Sequence, residues 1–240
     1  CWNWSYDMLD NNAQWDSWKD WAKVQLDLET YISIIDDLEE LGGCEWISIS
    51  GGGEPFIVPD IMKMIKHTKN LGFNLKMFTN FSRVNFKDNF IKWGVDRFEI
   101  NISAGTEETY CKIRKLKPKD WNLLADNLCY MKERKEELDK KFPQFKYVVI
   151  VTKENIEEID EIFELAIKYG SYFIDFRDLV TDDVYNGKNL LPSEKQIEVF
   201  NKKFFENTKR YDLKEVKGEY YYYSEKLKLG VFNECFSYRG

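Results

Sequence analysis

The sequence predicts an α/β fold: parallel strands joined by right-handed crossovers, with helices covering at least one face of the sheet. Two observations carry that expectation. Short runs rich in β-branched and aromatic residues alternate with longer stretches in which apolar residues recur at three- and four-residue spacing. Glycine also stands where successive helices should stop, at Gly42-Gly43, Gly72, Gly94 and Gly170.

The elements follow in order. Leu28, Ile32, Ile35 and Leu38 mark a helix over residues 27–41. A short buried strand over 46–50 (WISIS) then runs straight into Gly51-Gly52-Gly53-Glu54-Pro55, where the chain turns. The alternation continues with a helix over 60–71, a strand over 74–79, a helix over 87–93 and a strand over 97–103. A long charged helix over 120–139 precedes a strand over 146–151, a helix over 156–169, a strand over 172–177 and a last helix over 193–207. This makes five strands after a leading helix. A βα series that opens on a helix implies a strand missing upstream, and six units are the natural total. The tail over 215–232, with its tyrosine run and polar gap, reads as a β-hairpin or a descent into another module.

Composition removes several function classes. The chain has 240 residues, a formal net charge of -7, five cysteines and one histidine, with 43% hydrophobic and 32% charged residues. No apolar run approaches the roughly 18 residues of a membrane helix. The acidic balance argues against general polyanion binding, and the local basic run at 112–119 does not reverse it. A single His67, expected on a solvated surface among lysines, speaks against a His-rich zinc site or a Ser-His-Asp triad. The cysteines form neither C-x-x-C nor an even disulfide framework. A chain that starts at Cys1 and stops soon after Cys235 reads as an excised piece of a longer one.

In parallel α/β sheets, ligands sit beyond the carboxyl ends of the strands. Those ends carry GGGEP, then Thr79-Asn80-Phe81-Ser82, then Ser103-Ala104-Gly105 with Arg114 following, then Thr152-Lys153, and finally Asp178. Three glycines let backbone groups approach a small polar ligand, and Glu54 adds a negative charge, so the loop suits an ammonium group better than a phosphate. A plain tight turn stopped by Pro55 is the competing reading. The planar fork of Arg114 matches a carboxylate, against the alternative of an exposed helix arginine. Cys1, if it lies on the same rim, is a nucleophile, a metal ligand or inert.

Taken together, GGGEP at positions 51–55, Thr79-Asn80, and the segment Ile102-Ser103-Ala104-Gly105-Thr106-Glu107-Glu108-Thr109-Tyr110-Cys111-Lys112-Ile113-Arg114 resemble the radical SAM superfamily. The nearest likeness is the branch whose catalytic domain is followed by a SPASM or twitch domain. That resemblance implies a partial (β/α)6 barrel with parallel strands, over residues 1–212 and lacking its first strand, followed by a hairpin-like start of an auxiliary-cluster region over 213–240. It implies a [4Fe-4S] cluster held by a C-x-x-x-C-x-x-C loop. Cys1 falls at the third cysteine of that loop and the first two are absent, in keeping with truncation. The loop Gly51, Gly52, Gly53 and Glu54 would receive the ammonium of S-adenosylmethionine, and Ser103 and Arg114 its carboxylate. Asn80 and the backbone near Val151 and Arg177 would meet ribose and adenine.

The implied reaction is reductive cleavage of S-adenosylmethionine to a 5'-deoxyadenosyl radical that abstracts hydrogen from a substrate, with a peptide as first expectation and small metabolites open. Cys235 resembles the first cysteine of an auxiliary [4Fe-4S] cluster. An electron donor such as flavodoxin or ferredoxin and a cytoplasmic location complete the expectation. Cys44, Cys111 and Cys129 are expected as packing residues. The aromatic segment over 2–21 would line a substrate entrance or pack against helices. Two competing readings are a non-catalytic α/β binding domain that has lost its cluster, and a conventional barrel enzyme using Glu54 as acid or base.

Overall fold

The computed structural model describes residues 24–51, 53–85, 87–179, 187–215, 221–224, 226 and 229–233. Helix α1 (Leu28–Glu40) starts where Asp27 accepts the Thr30 N–H at 2.9 Å, and it buries Tyr31 and Ile35. Strand β1 (Trp46–Ile49) leads through a 3-10 turn (Pro55–Ile57) to α2 (Ile61–Asn70), whose Ile61, Met64, Ile65 and Thr68 form one buried stripe. Then come β2 (Asn74–Thr79), α3 (Lys87–Lys92), β3 (Arg97–Asn101), α4 (Glu107–Arg114), α5 (Pro118–Glu137) and β4 (Gln144–Val151). Helix α6 (Ile159–Lys168), strand β5 (Phe173–Asp178) and helix α7 (Glu194–Arg210) follow. The short strands β6 (Lys214–Glu215), β7 (Tyr221–Ser224) and β8 (Leu229–Asn233) close the described chain. Two of the expected glycine stops show why glycine is there: Gly94 and Gly170 have φ of 70° and 69°, the left-handed conformation in which a side chain is strained.

All eight strands belong to one sheet, in the order β1-β2-β3-β4-β5-β8-β7-β6. Strands β1 to β5 and β8 are mutually parallel, while β7 runs antiparallel to β8 and β6. The α/β expectation therefore holds, as six parallel strands of a partial barrel. One detail differs. The tail does contain the expected hairpin, β7 with β8, but β8 is also hydrogen-bonded parallel to β5, so the sixth parallel strand seen is supplied from the tail. Hydropathy marks a strand, but its choice of neighbour is a long-range pairing that no local pattern encodes.

The two faces of the sheet differ sharply. Leu75, Met77, Phe98, Ile100, Phe145, Tyr147, Ile174 and Phe176 are wholly buried on the helix-covered face. There the rings of Phe98 and Phe145 meet Phe81 at 5.0 and 5.4 Å, and Phe176 meets Phe200 at 5.5 Å. Alternate residues look to the other face, because side chains on a strand reverse direction at each step. That inner face carries Lys76, Phe78, Glu99, Asn101, Lys146, Val148, Asp175 and Arg177. The registers Phe78↔Glu99↔Lys146↔Phe173 and Asn101↔Val148↔Asp175 stack these residues in rows. Val148 is fully buried yet stands outside the main core cluster, as expected for the opposite face.

Two expectations are corrected here. His67 is not a free surface residue: it is half-buried, and its Nε2 lies 2.6 Å from Asp36 Oδ1, joining α2 to α1. Helix packing brings α1 alongside, which the lysines flanking His67 in sequence do not reveal. Cys44 is exposed rather than packed, because it sits in the turn between α1 and β1, whereas Cys111 and Cys129 are half-buried against the core as expected.

Candidate functional site

The carboxyl ends of the parallel strands bring the sequence-predicted residues to one rim. Gly51, Gly53 and Glu54 follow β1, Asn80 follows β2, Ser103 follows β3, and Val151 closes β4 opposite Asp178. Gly52, Cys1 and Cys235 lie outside the described residues.

In the first loop, Glu54 caps the 3-10 turn and ties it to the end of β2. Its Oε1 accepts the Thr79 hydroxyl at 2.5 Å and the Phe56 N–H at 3.4 Å, and its Oε2 accepts the Asn80 N–H at 2.8 Å. Both oxygens of the carboxylate are thus engaged in holding the loop to the end of β2. Oε2 keeps one lone pair for a further donor. Gly51 and Gly53 carry no left-handed φ, and a Cβ on either would meet nothing within 4 Å. Neither backbone strain nor packing therefore demands glycine at these two positions. What glycine supplies is open approach to the backbone. Beside them, Asn80 Oδ1 accepts the N–H and hydroxyl of Ser82 at 2.9 and 2.7 Å, which tightens the turn after β2.

Arg114 reaches back from the end of α4 to the end of β3. Its Nε donates to Ser103 Oγ at 2.8 Å, and its Nη2 donates to Asn101 Oδ1 at 2.7 Å and to Asn101 O at 3.0 Å. Ser103 Oγ in turn donates to Asn101 Oδ1 at 2.9 Å. Arg114 is thus held on three contacts, and Nη1 has no partner among the described residues. The arrangement differs from two independent carboxylate ligands, since Ser103 spends its proton on Asn101 and serves to hold the arginine. Asn101, the hub of this triad, was missed. The signal that could have found it is a polar residue on the inward register of a strand end, two positions before Ser103.

Other long-range contacts set the rim. Asn155 Nδ2 donates to Ser103 O and Ile150 O, both at 2.8 Å, joining the ends of β3 and β4. Glu158 Oε2 accepts the Gly105 and Thr106 N–H groups at 2.8 and 3.2 Å, and Oε1 accepts the Thr106 hydroxyl at 2.6 Å. Tyr110 is fully buried, with Arg114 over its ring at 5.4 Å and its hydroxyl without a partner among the described residues. Burial pushes the Tyr110 pKa up, the Arg114 charge opposes that, and Glu54 is near enough to add to it.

Below the rim, the inner wall carries an ion cluster that the sequence reading did not single out. Asp175 Oδ2 takes Lys146 Nζ at 2.6 Å, together with Arg177 Nη2 at 2.7 Å and Nε at 3.0 Å. Among the described residues, no group of His, Cys, Asp or Glu is placed to hold a metal ion, and no helix is long and apolar enough to cross a membrane.

A parallel partial barrel with an open glycine loop, an anchored arginine and a polar inner wall at one end belongs to the α/β class that binds ligands beyond its strand ends. Comparison with known proteins narrows that class. The model of the Radical SAM superfamily matches residues 1–166, and the chain belongs to that superfamily. It is 26% identical over 157 residues to the tungsten-containing aldehyde ferredoxin oxidoreductase cofactor-modifying protein of Pyrococcus furiosus, covering 64% of this chain and 43% of that protein. It is 27% identical over 139 residues to the AdoMet-dependent heme synthase of Methanosarcina barkeri, covering 57% of this chain and 37% of that one. The chain thus spans about two fifths of the length of these curated relatives. In fold it is similar to Streptococcus suis SuiB bound to its precursor peptide SuiA, with a TM-score of 0.60 and 13% identity over 79% of this chain and 41% of that one.

Proposed function

We propose that this chain is the core of an enzyme that cleaves S-adenosylmethionine reductively and uses the product to abstract hydrogen from a peptide. One observation carries the cofactor half of the reading. In a chain of this superfamily, an open glycine loop and an arginine with a spare pair of donors lie on the same rim. Gly51, Gly52, Gly53 and the remaining lone pair of Glu54 offer acceptors to an ammonium, while Arg114 Nη1 offers donors to a carboxylate. Ser103 and Asn101 hold the guanidinium in place, so little rotamer freedom is lost on binding. Asn80 and the backbone at Val151 and Arg177 are the surfaces for ribose and adenine.

When bound, the cofactor and a [4Fe-4S] cluster supply one-electron cleavage of the sulfonium carbon-sulfur bond and hence a 5'-deoxyadenosyl radical. Cys1 is our candidate for one cluster ligand, with residues 213–240 and Cys235 leading toward an auxiliary cluster. A flavodoxin- or ferredoxin-type protein would deliver the electron. The peptide half of the reading is supported by the similarity in fold to SuiB, which has been solved with its precursor peptide.

The test uses the full-length protein with reconstituted clusters and a reductant. It should form 5'-deoxyadenosine from S-adenosylmethionine, and Arg114→Ala should weaken S-adenosylmethionine binding at equilibrium by about tenfold or more, the loss of a charge-assisted contact. Absence of 5'-deoxyadenosine sinks the reading, and unchanged affinity removes Arg114 from the site.

A further inference from the structure

Asp175 sits in the middle of β5 on the inner face, is 3% exposed, and is asymmetric. Its Oδ2 takes two N–H bonds from Arg177 and the Lys146 ammonium, while its Oδ1 is buried without a hydrogen-bond partner among the described residues. A buried carboxylate oxygen left bare is costly, and such atoms in native structures call for a ligand or a function. Its row in the sheet is Asn101↔Val148↔Asp175. Asp175 is therefore two strand spacings, about 10 Å along the row, from Asn101, the residue that anchors Arg114, with apolar Val148 between.

The local charges narrow what can bind. Lys146 and Arg177 both face Asp175, with Glu99 opposite Lys146 in the neighbouring row, so a further cation at Asp175 would be set against two cations already there, and a bare anion meets the acceptor oxygen itself. A neutral group carrying a donor and an acceptor side by side satisfies both. Lys146 Nζ, 2.6 Å from Oδ2 and 5.2 Å from the Phe173 ring centre, carries three N–H donors, and its side chain is 16% exposed.

We propose that Lys146 and Asp175 form a substrate subsite that grips the backbone N–H and C=O of one residue of an extended peptide. Asp175 Oδ1 accepts that residue's N–H, and Lys146 Nζ donates to the same residue's carbonyl, two groups that an extended chain turns to one side. The inference rests on the peptide reading above and adds to it the atoms that recognise the chain next to the cofactor rim.

The probe is hexaglycine, which offers backbone amides and no side chains, set against hexasarcosine, whose N-methylated amides have no N–H. The readout is the NMR signal of the Asp175 carboxyl carbon, identified by its loss in Asp175→Asn. Millimolar hexaglycine should move that signal and hexasarcosine should not, and Lys146→Met should weaken the hexaglycine response by about tenfold. Should Asp175→Asn fail to fold, the signal is identified instead by its shift in folded Lys146→Met, which removes the contact to Oδ2. No movement with hexaglycine, or equal movement with both oligomers, overturns the subsite. The two readings fail separately. If the full-length protein forms 5'-deoxyadenosine but alters no peptide, the peptide reading falls. If it alters a peptide while hexaglycine leaves Asp175 untouched, only the subsite falls.

Discussion

In the loop after β1, a methyl group placed on Gly51 or Gly53 would meet nothing within 4 Å, whereas one placed on Gly105, in the loop after β3, would lie 2.5 Å from Glu161 Cβ and 2.9 Å from Glu158 O. Both loops sit at the same end of the same sheet, and both are written with glycine next to polar residues. Their glycines answer different needs. Gly105 lets the β3 loop close on the first turn of α6, where Glu158 gathers its N–H groups, so it is required by the fold. Among the described residues nothing packs against Gly51 or Gly53 closely enough to require glycine, and in the proposed function the space above them is where the ammonium approaches. Composition alone does not separate a packed glycine from an open one; the atoms a Cβ would touch do.

The largest effect that would break this comparison is on Gly105→Ala. Its Cβ meets backbone as well as side chain, so the loop and α6 must move apart, at a cost of about 3 kcal/mol. A urea midpoint equal to that of the unmodified chain would show that the contact is soft. Glu158→Gln should cost about 1–2 kcal/mol, because a charged acceptor of three hydrogen bonds is replaced by a neutral amide that presents N–H to one of the donors. Thermal denaturation of the two variants together tests whether they act through one contact, since coupled residues lose less jointly than the sum.

Lys135 lies at the amino end of β4, the end opposite the rim. Its Nζ donates to Pro143 O at 2.8 Å and lies over the Phe145 ring, and burial lowers its pKa from 10.5 to about 8. Below pH 8 both states are protonated and the burial penalty is present in full. Between pH 8 and 10.5 the unfolded chain still holds the proton that the folded chain has lost, so stability should rise with pH across that window, by about 3 kcal/mol at most. Lys135→Met should abolish the rise, as read from urea midpoints on either side of the window, while leaving the difference between the two loops intact. The smallest effect on stability is expected for Gly53→Ala, within about 0.5 kcal/mol, because nothing is struck and no left-handed φ is at stake. The same substitution should weaken S-adenosylmethionine binding in the reconstituted full-length protein. A large stability loss with unchanged binding would exchange the roles assigned to the two loops.

Much of the molecule was legible before any coordinates. Strand β2 (Asn74–Thr79) falls where alternation puts it, and α2, α6 and α7 fall within a few residues of their apolar periodicity. The motif residues Glu54, Asn80, Ser103 and Arg114 all reach the rim, because the ends of parallel strands lie on one edge by construction. What was not legible is how they partner. Arg114 and Ser103 bind each other directly and share Asn101, Asn155 joins Ser103 to Ile150, and Glu158 reaches Gly105 across 53 positions of sequence. None of these pairs has a spacing that a helix or strand period would pick out.

The sequence by itself determined the order of helices and strands, the glycine-rich loop, the serine and arginine that follow β3, and through them the family. These are local properties, set by side-chain periodicity and by what a backbone can do at a given residue. Only the tertiary structure decided that β8 pairs with β5, that Gly105 is a packing glycine while Gly51 and Gly53 are not, and that one oxygen of Asp175 has no partner among the described residues of the inner wall. Register and face are shared between distant segments, and a shift of one residue sends every side chain of a strand to the opposite side. The inner wall therefore comes into being only when the strands are laid side by side.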